Sequence, residues 1–294
     1  MWTDLVENES GQSSHPRGTV GMITTAPTEA FHYYRVRFLD GREATLPRHH
    51  LTLLKSFQHV DPPMNTLDTS SDTTDLYQYV MYRCVVGSRA YGLDEAGSDT
   101  DRRGIYLPPS VLHWALGGVP EQLENQETQE CYWELQKFLT LALRANPNIL
   151  ECLYTPLVEM TTPLAQELLA MRSCFLSRLV YQTYNGYVMS QFRKLGQDLR
   201  NLGAIRWKHA MHLIRLLMSG IAILKDGSVP IRVAEHRQLL LSIRHGDMPW
   251  TEIDLLRLSL HKEFDAALAR TTLPERPNYD QANTFLLKAR RSMV

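Results

Sequence analysis

Gly87-Ser88 stands directly behind the apolar pair Val85-Val86, and after a ten-residue gap that ends in Ser98 the chain carries Asp99-Thr100-Asp101. A Gly-Ser bend at a strand end lets backbone N–H groups and a hydroxyl approach phosphate oxygens with no Cβ in the way. Residues i and i+2 of an extended segment share a face, so Asp99 and Asp101 are expected to project side by side. Two carboxylates that close repel one another unless a cation lies between them. Hard oxygen donors next to a phosphate site point to Mg²⁺, with Mn²⁺ as a substitute. Two such ions would neutralise a triphosphate, activate an attacking hydroxyl and stabilise the departing pyrophosphate.

Other chemistries fit less well. An EF-hand needs ligands at loop positions 5 and 12; counted from Asp99 these are Arg103 and Ser110. The chain has no GxxxxGK[ST], GxGxxG or HExxH pattern. A transferase that uses Asp99 and Asp101 to hold a sugar nucleotide stays open, although it has no need of the Gly-Ser bend. A plain solvated turn is the non-functional alternative for a lone DxD.

The elements around these residues divide the chain into four stretches. Residues 1–59 hold short period-two runs, among them FHYYRVRFLDGREATLP, in which Asp40-Gly41 is a hairpin signal. A small SH3-like β-barrel is expected there. Residues 60–75 (VDPPMNTLDTSSDTTD) are rich in Pro, Ser, Thr and Asp and read as a linker. Residues 76–160 combine the apolar LYQYVMYRCVV, the Gly87 to Asp101 stretch, a strand-like Glu130 to Trp133 and the helical WELQKFLTLALRA. Asn146-Pro147 should stop that helix and restart another over Asn148 to Tyr154. Residues 161–294 show helical periodicity with Gly and Pro breaks, an all-α region. The fold class is therefore α+β.

Composition narrows the partners. Among 294 residues, 31 Lys+Arg against 32 Asp+Glu exclude a uniformly basic coat but leave room for a local basic groove. The four cysteines have no CxxC spacing and read as reduced thiols rather than zinc ligands or a disulfide frame. MWTDLVENESGQSS has no apolar signal core, and Leu216 to Leu224 is too short to span a bilayer, so a cytoplasmic protein without a membrane partner is expected. The basic groove has a candidate. Lys208, His212, Arg215 and Ser219 fall on one face of the helical RWKHAMHLIRLLMSGIAIL, and 190–215 carries six Lys/Arg against Asp198 alone. A cationic stripe on an otherwise apolar helix is expected to face a triphosphate or polynucleotide.

Gly87-Ser88 followed by Asp99-x-Asp101 resembles the signature of the DNA polymerase β-like nucleotidyltransferases. The longer strings GSRAYGLDEAGSDTDRRGIY and KFLTLALRANPNILE are similar to the bacterial and phage RNA-repair-associated (RlaP-like) branch. The likeness covers roughly Tyr82 to Tyr154 well and the helical remainder loosely. It implies a polymerase β-like core of mixed sheet and flanking helices, and transfer of a nucleoside monophosphate from an NTP such as ATP to a hydroxyl, with Mg²⁺. By the same likeness Gly87 and Ser88 would hold the triphosphate and Asp99 and Asp101 would ligate metal; the flanking Arg89 and Ser98 are further nucleotide-binding candidates, a salt-bridged or solvated arginine being the alternative for Arg89. Lys208, His212 and Arg215 would reach the phosphates from the helical side.

The superfamily also carries a third carboxylate on a later strand. Glu127, Glu130 and Glu134 are the candidates, and Glu130 is assigned as catalytic and metal-binding because it lies in the strand-like piece. Glu134 at a helix start would only complement the dipole. No aspartate occupies this region, a departure from the pattern. The acceptor is an RNA or tRNA end by the branch, with a protein hydroxyl or a small molecule as alternatives. A catalytically degenerate nucleotide- or RNA-binding module is the second reading of the whole chain.

Overall fold

The computed structural model describes residues 2–3, 6–7, 13–15, 19–26, 33–38, 40–52, 75–202 and 205–294. The chain forms two compact units, Met1–Asp72 and Thr73–Val294.

In the first unit the short strands β1 (Trp2–Thr3), β2 (Val6–Glu7) and β3 (Ser13–His15) precede β4 (Gly21–Thr25), β5 (Tyr34–Phe38), β6 (Glu43–Leu46) and β7 (Leu51–Thr52). β4, β5 and β6 make an antiparallel meander, while β1 pairs with β7 and β2 with β3. Asp40-Gly41 turns β5 into β6, with Gly41 at φ +83° and its N–H donating to the Phe38 carbonyl at 3.0 Å. Val36, Phe38, Leu46 and Leu51 close a small core, as the period-two pattern requires. The described residues thus give separate small sheets and no closed SH3-like barrel. Of the stretch 60–75, Asp75 alone lies among the described residues, where its side chain caps the 3-10 turn Leu76–Tyr79.

The second unit is built on a mixed sheet. β8 (Val80–Val86) runs into the short helix α1 (Gly87–Tyr91), and β9 (Asp101–Tyr106) returns antiparallel beside β8. After α2 (Ser110–Trp114), β10 (Gln122–Asn125) and β11 (Glu130–Glu134) form a hairpin. The sheet order is β10-β11-β9-β8-β12, where β12 (Val158–Thr161) is an antiparallel edge and β11–β9 is the parallel pair. β12 was not expected from the sequence.

The two faces of the sheet are buried differently. Tyr82, Cys84, Ile105, Cys131 and Trp133 face α3 (Leu135–Leu143) and α4 (Pro147–Tyr154), whose Phe138, Leu139, Ile149 and Leu150 are fully or almost fully buried. Glu134 caps α3 through the Gln136 and Lys137 N–H groups, and Asn146 caps α4 with Pro147 in its first turn. On the opposite face Val80, Tyr106, Leu123 and Tyr132 make a smaller cluster with Leu76 and Tyr77.

The same main core continues without a break into α5 (Pro163–Ala170), α6 (Leu179–Leu202), α7 (Trp207–Asp226), α8 (Arg237–His245), α9 (Trp250–Arg270) and α10 (Tyr279–Arg291). Sheet and helices therefore share one interior. No helix among the described residues is long and apolar enough to cross a membrane.

Candidate nucleotide site

Val86 pairs with Asp101 across the β8–β9 ladder, so Gly87 leaves the strand beside the Asp101 carboxylate. A Cβ on Gly87 would lie 2.5 Å from Asp101 Oδ2, and Gly87 sits at φ +71°. Only glycine satisfies both the close approach and the left-handed backbone. Bend and acid, separated in sequence, meet in one place. The half-buried Ser88 follows in the first turn of α1.

Asp101 keeps an accessible side chain. Its Oδ1 accepts from Arg103 Nη2 at 3.2 Å, with the acid 33% and the arginine 26% exposed. Arg103 is anchored in turn by donating to the Gln129 and Arg102 carbonyls, each at 2.8 Å. Asp99 lies just before β9, exposed, in a loop fastened to α1. Arg89 donates to the Ser98 carbonyl at 2.7 Å and to the Asp99 carbonyl at 3.2 Å, and the Ser98 hydroxyl accepts from the Glu95 N–H at 2.9 Å. Arg89 and Ser98, expected on the nucleotide, here brace the loop that presents Asp99.

Glu130 is not brought to this pair. It stands opposite Arg102 in the parallel β11–β9 register, so it projects on the face of Arg102 and Tyr132, while Asp101 projects on the other. Its charge is felt by Tyr132, whose pKa is pushed up to about 12, first by burial and in part by Glu130. Glu127 is exposed in the β10–β11 turn, and Glu134 is consumed as the cap of α3. The expected third carboxylate therefore does not join Asp99 and Asp101 in this arrangement, because strand register and not sequence distance decides the face.

The cationic stripe divides along its length. Lys208 is exposed at the start of α7. His212, one turn on, has its pKa pushed down to about 3, chiefly by burial and then by the neighbouring Arg215 and Lys208 charges, so its ring is neutral at physiological pH. Arg215 is 5% exposed, and its Nη1 donates to Glu151 Oε1 at 2.7 Å. Burial opposes its charge, but Glu151 and Tyr91 more than offset this, and the guanidinium pKa ends above its usual value. In this arrangement the Arg215 guanidinium is engaged by a buried partner, and contact with a phosphate would require it to leave Glu151. Ser219 is buried, and His209 is paired with Asp198 at 2.7 Å.

Glu151, the partner of Arg215, lies in α4 and is itself almost fully buried. The missed signal is the same at both partners: a single charge set in an apolar run, NILECL and LIRLL, each of which demands an opposite charge once buried.

The donors at the bend suit a hard cation. Mg²⁺ is typically held by one or two carboxylates together with phosphate oxygens and water, and Asp99, Asp101 and the Ser88 hydroxyl supply oxygens of that kind. Among the described residues no group of three His, Cys, Asp or Glu side chains is placed to enclose a metal alone.

The model of the RlaP family, described as the RNA repair pathway DNA polymerase beta family, matches residues 58–288. A curated Bacillus subtilis (strain 168) protein, named uncharacterized protein YcgL, is 26% identical over 158 residues, 51% of this chain and 58% of its own length. The chain thus spans a little over half of that relative.

Proposed function

Because the chain belongs to the RNA repair pathway DNA polymerase beta family, we propose that it transfers a nucleoside monophosphate from an NTP, ATP among them, to a hydroxyl at an RNA or tRNA end. The observation that carries this reading is the seating of Gly87 against the Asp101 carboxylate, with Ser88 beside it. In this reading the Gly87-Ser88 bend cradles the terminal phosphates, and exposed Lys208 meets them from the helical side. Asp99 and Asp101 would hold Mg²⁺ or Mn²⁺, which would supply positive charge against the triphosphate. The acceptor oxygen forms a bond to the α-phosphorus, the bond from that phosphorus to the β-phosphate oxygen breaks, and pyrophosphate departs with the electron pair. The hydroxyl proton passes to the carboxylate pair. Arg103, anchored to the Gln129 carbonyl, orients Asp101 for this task.

The test is incubation with each α-³²P-labelled NTP, Mg²⁺ or Mn²⁺, and RNA, tRNA, protein or small-molecule acceptors. Label on RNA that disappears in Asp99→Asn with Asp101→Asn supports the reading, whereas label unaffected by the double change rejects the assigned chemistry. One observation favours a second reading, a nucleotide- or RNA-binding module without turnover: no third carboxylate stands with Asp99 and Asp101 among the described residues. Metal-dependent NTP binding with no pyrophosphate released would select it.

A further inference from the structure

Tyr91, the last residue of α1, is held in a buried cluster that ties the phosphate bend to the helical half of the unit. Its hydroxyl donates to Glu151 Oε2 at 2.5 Å, and Glu151 Oε1 accepts from Arg215 Nη1 at 2.7 Å. The Arg215 guanidinium carbon lies 3.8 Å from the Tyr91 ring centroid. The three residues come from α1, α4 and α7, and none is more than 6% exposed. Burial, opposed by Arg215 and reinforced by Glu151, raises the Tyr91 pKa well above its ordinary value, so the hydroxyl stays protonated and donating.

The turn after Tyr91 is held from the same side. The Tyr91 carbonyl accepts from the Val233 N–H at 3.1 Å, the Gly92 carbonyl from Arg237 Nε at 2.8 Å and the Leu93 carbonyl from Arg244 Nη1 at 2.8 Å. Glu95 is bound by His245 at 2.8 Å.

We propose that Tyr91, Glu151 and Arg215 are positioning residues which set the Gly87-Ser88 bend against Asp101. The inference rests on the reading of that bend as the phosphate holder. A greasy contact at this junction would let α1 slide, because apolar packing is non-directional. A carboxylate that receives a hydroxyl on one oxygen and a planar guanidinium on the other, with the guanidinium stacked on the same ring, fixes both the distance and the rotation of Tyr91. Tyr91 stands at i+4 from Gly87, about one helical turn, so any shift at Tyr91 is passed to the bend. A buried ion pair costs desolvation that an apolar cluster avoids, and its best-attested benefit is a single fixed arrangement.

The discriminating variant is Tyr91→Phe, which keeps the ring beneath Arg215 and removes only the hydroxyl. Amide hydrogen exchange of the purified full chain, without any substrate, should quicken about tenfold over 87–93 and stay unchanged in α9 and α10. Label transfer should lose about tenfold in kcat with KM within about threefold of the parent, because in-line geometry suffers more than ground-state binding. Arg215→Lys, which keeps the charge but loses the flat stack, should show the same pattern. Unchanged exchange over 87–93, or unchanged kcat in a parent that transfers label, overturns the proposal. A parent that transfers no label defeats the catalytic reading instead, and the exchange result then decides the positioning claim alone.

Discussion

Gly87→Ala places a methyl group where Asp101 now sits. The added carbon would fall 2.5 Å from Oδ2, and ordinary contact begins near 3.4 Å, so bend and carboxylate must part by about 0.9 Å. Near-ångström misplacement of reacting groups is worth on the order of 10² in rate. A left-handed φ of +71° adds about 1–2 kcal/mol of backbone strain for any L-residue. Gly92 supplies an internal control, since it has φ +73° but open space around its missing Cβ. Gly92→Ala should therefore lose about 1–2 kcal/mol of stability, read as a melting midpoint lower by about 2–8 °C, and keep nearly full activity. Gly87→Ala should show at least that loss of stability together with a fall in kcat on the order of 10²-fold. The assay is label transfer from an α-³²P NTP beside a thermal melt of the same preparation. Equal activity in the two variants would refute the claim that the bend and Asp101 work as one unit.

Further outcomes follow from the same geometry. Glu130→Gln should leave metal-dependent transfer within about twofold of the parent, since it lies on the sheet face away from Asp101; single-turnover rates check this. Glu151→Leu strands the Arg215 charge in the core and should cost about 3–5 kcal/mol in urea unfolding, most of it recovered by adding Arg215→Met. The neutral His212 gives a pH effect of defined sign. Its folded pKa of about 3 lies below the ordinary 6.5, so below pH 6.5 the unfolded chain binds a proton that the folded chain refuses. Stability contributed by this residue is whole above pH 6.5 and declines as pH falls towards 3, at a limiting slope of about 1.4 kcal/mol per pH unit. His212→Gln should flatten the decline between pH 6.5 and 5, before most carboxylates titrate; urea midpoints across that window measure it.

The sequence carries what is local. The Gly87-Ser88 bend, the spacing of Asp99 and Asp101, the Asp40-Gly41 turn and the Asn146-Pro147 helix break each depend on residues within a few positions of one another. What failed to show depends on partners distant in the chain. Period two states that Glu130 and Cys131 face opposite ways, but the register that sets Glu130 beside Arg102 is fixed by pairing across the intervening crossover. The stripe on α7 is legible from helical spacing, but the partner of its buried arginine is not. Arg215 is answered by Glu151, 64 residues earlier on another helix. β12, with four residues, is too short for alternation to stand out and is defined by the edge it completes on β8.

Diffraction from crystals soaked with Mn²⁺ and a non-hydrolysable NTP would address the site most directly. Anomalous signal is predicted within roughly 2.0–2.3 Å of an Asp101 oxygen, with Asp99 as a further ligand and the triphosphate against Gly87 and Ser88. Manganese or triphosphate bound elsewhere on the unit, with Asp101 still paired only to Arg103, would contradict it.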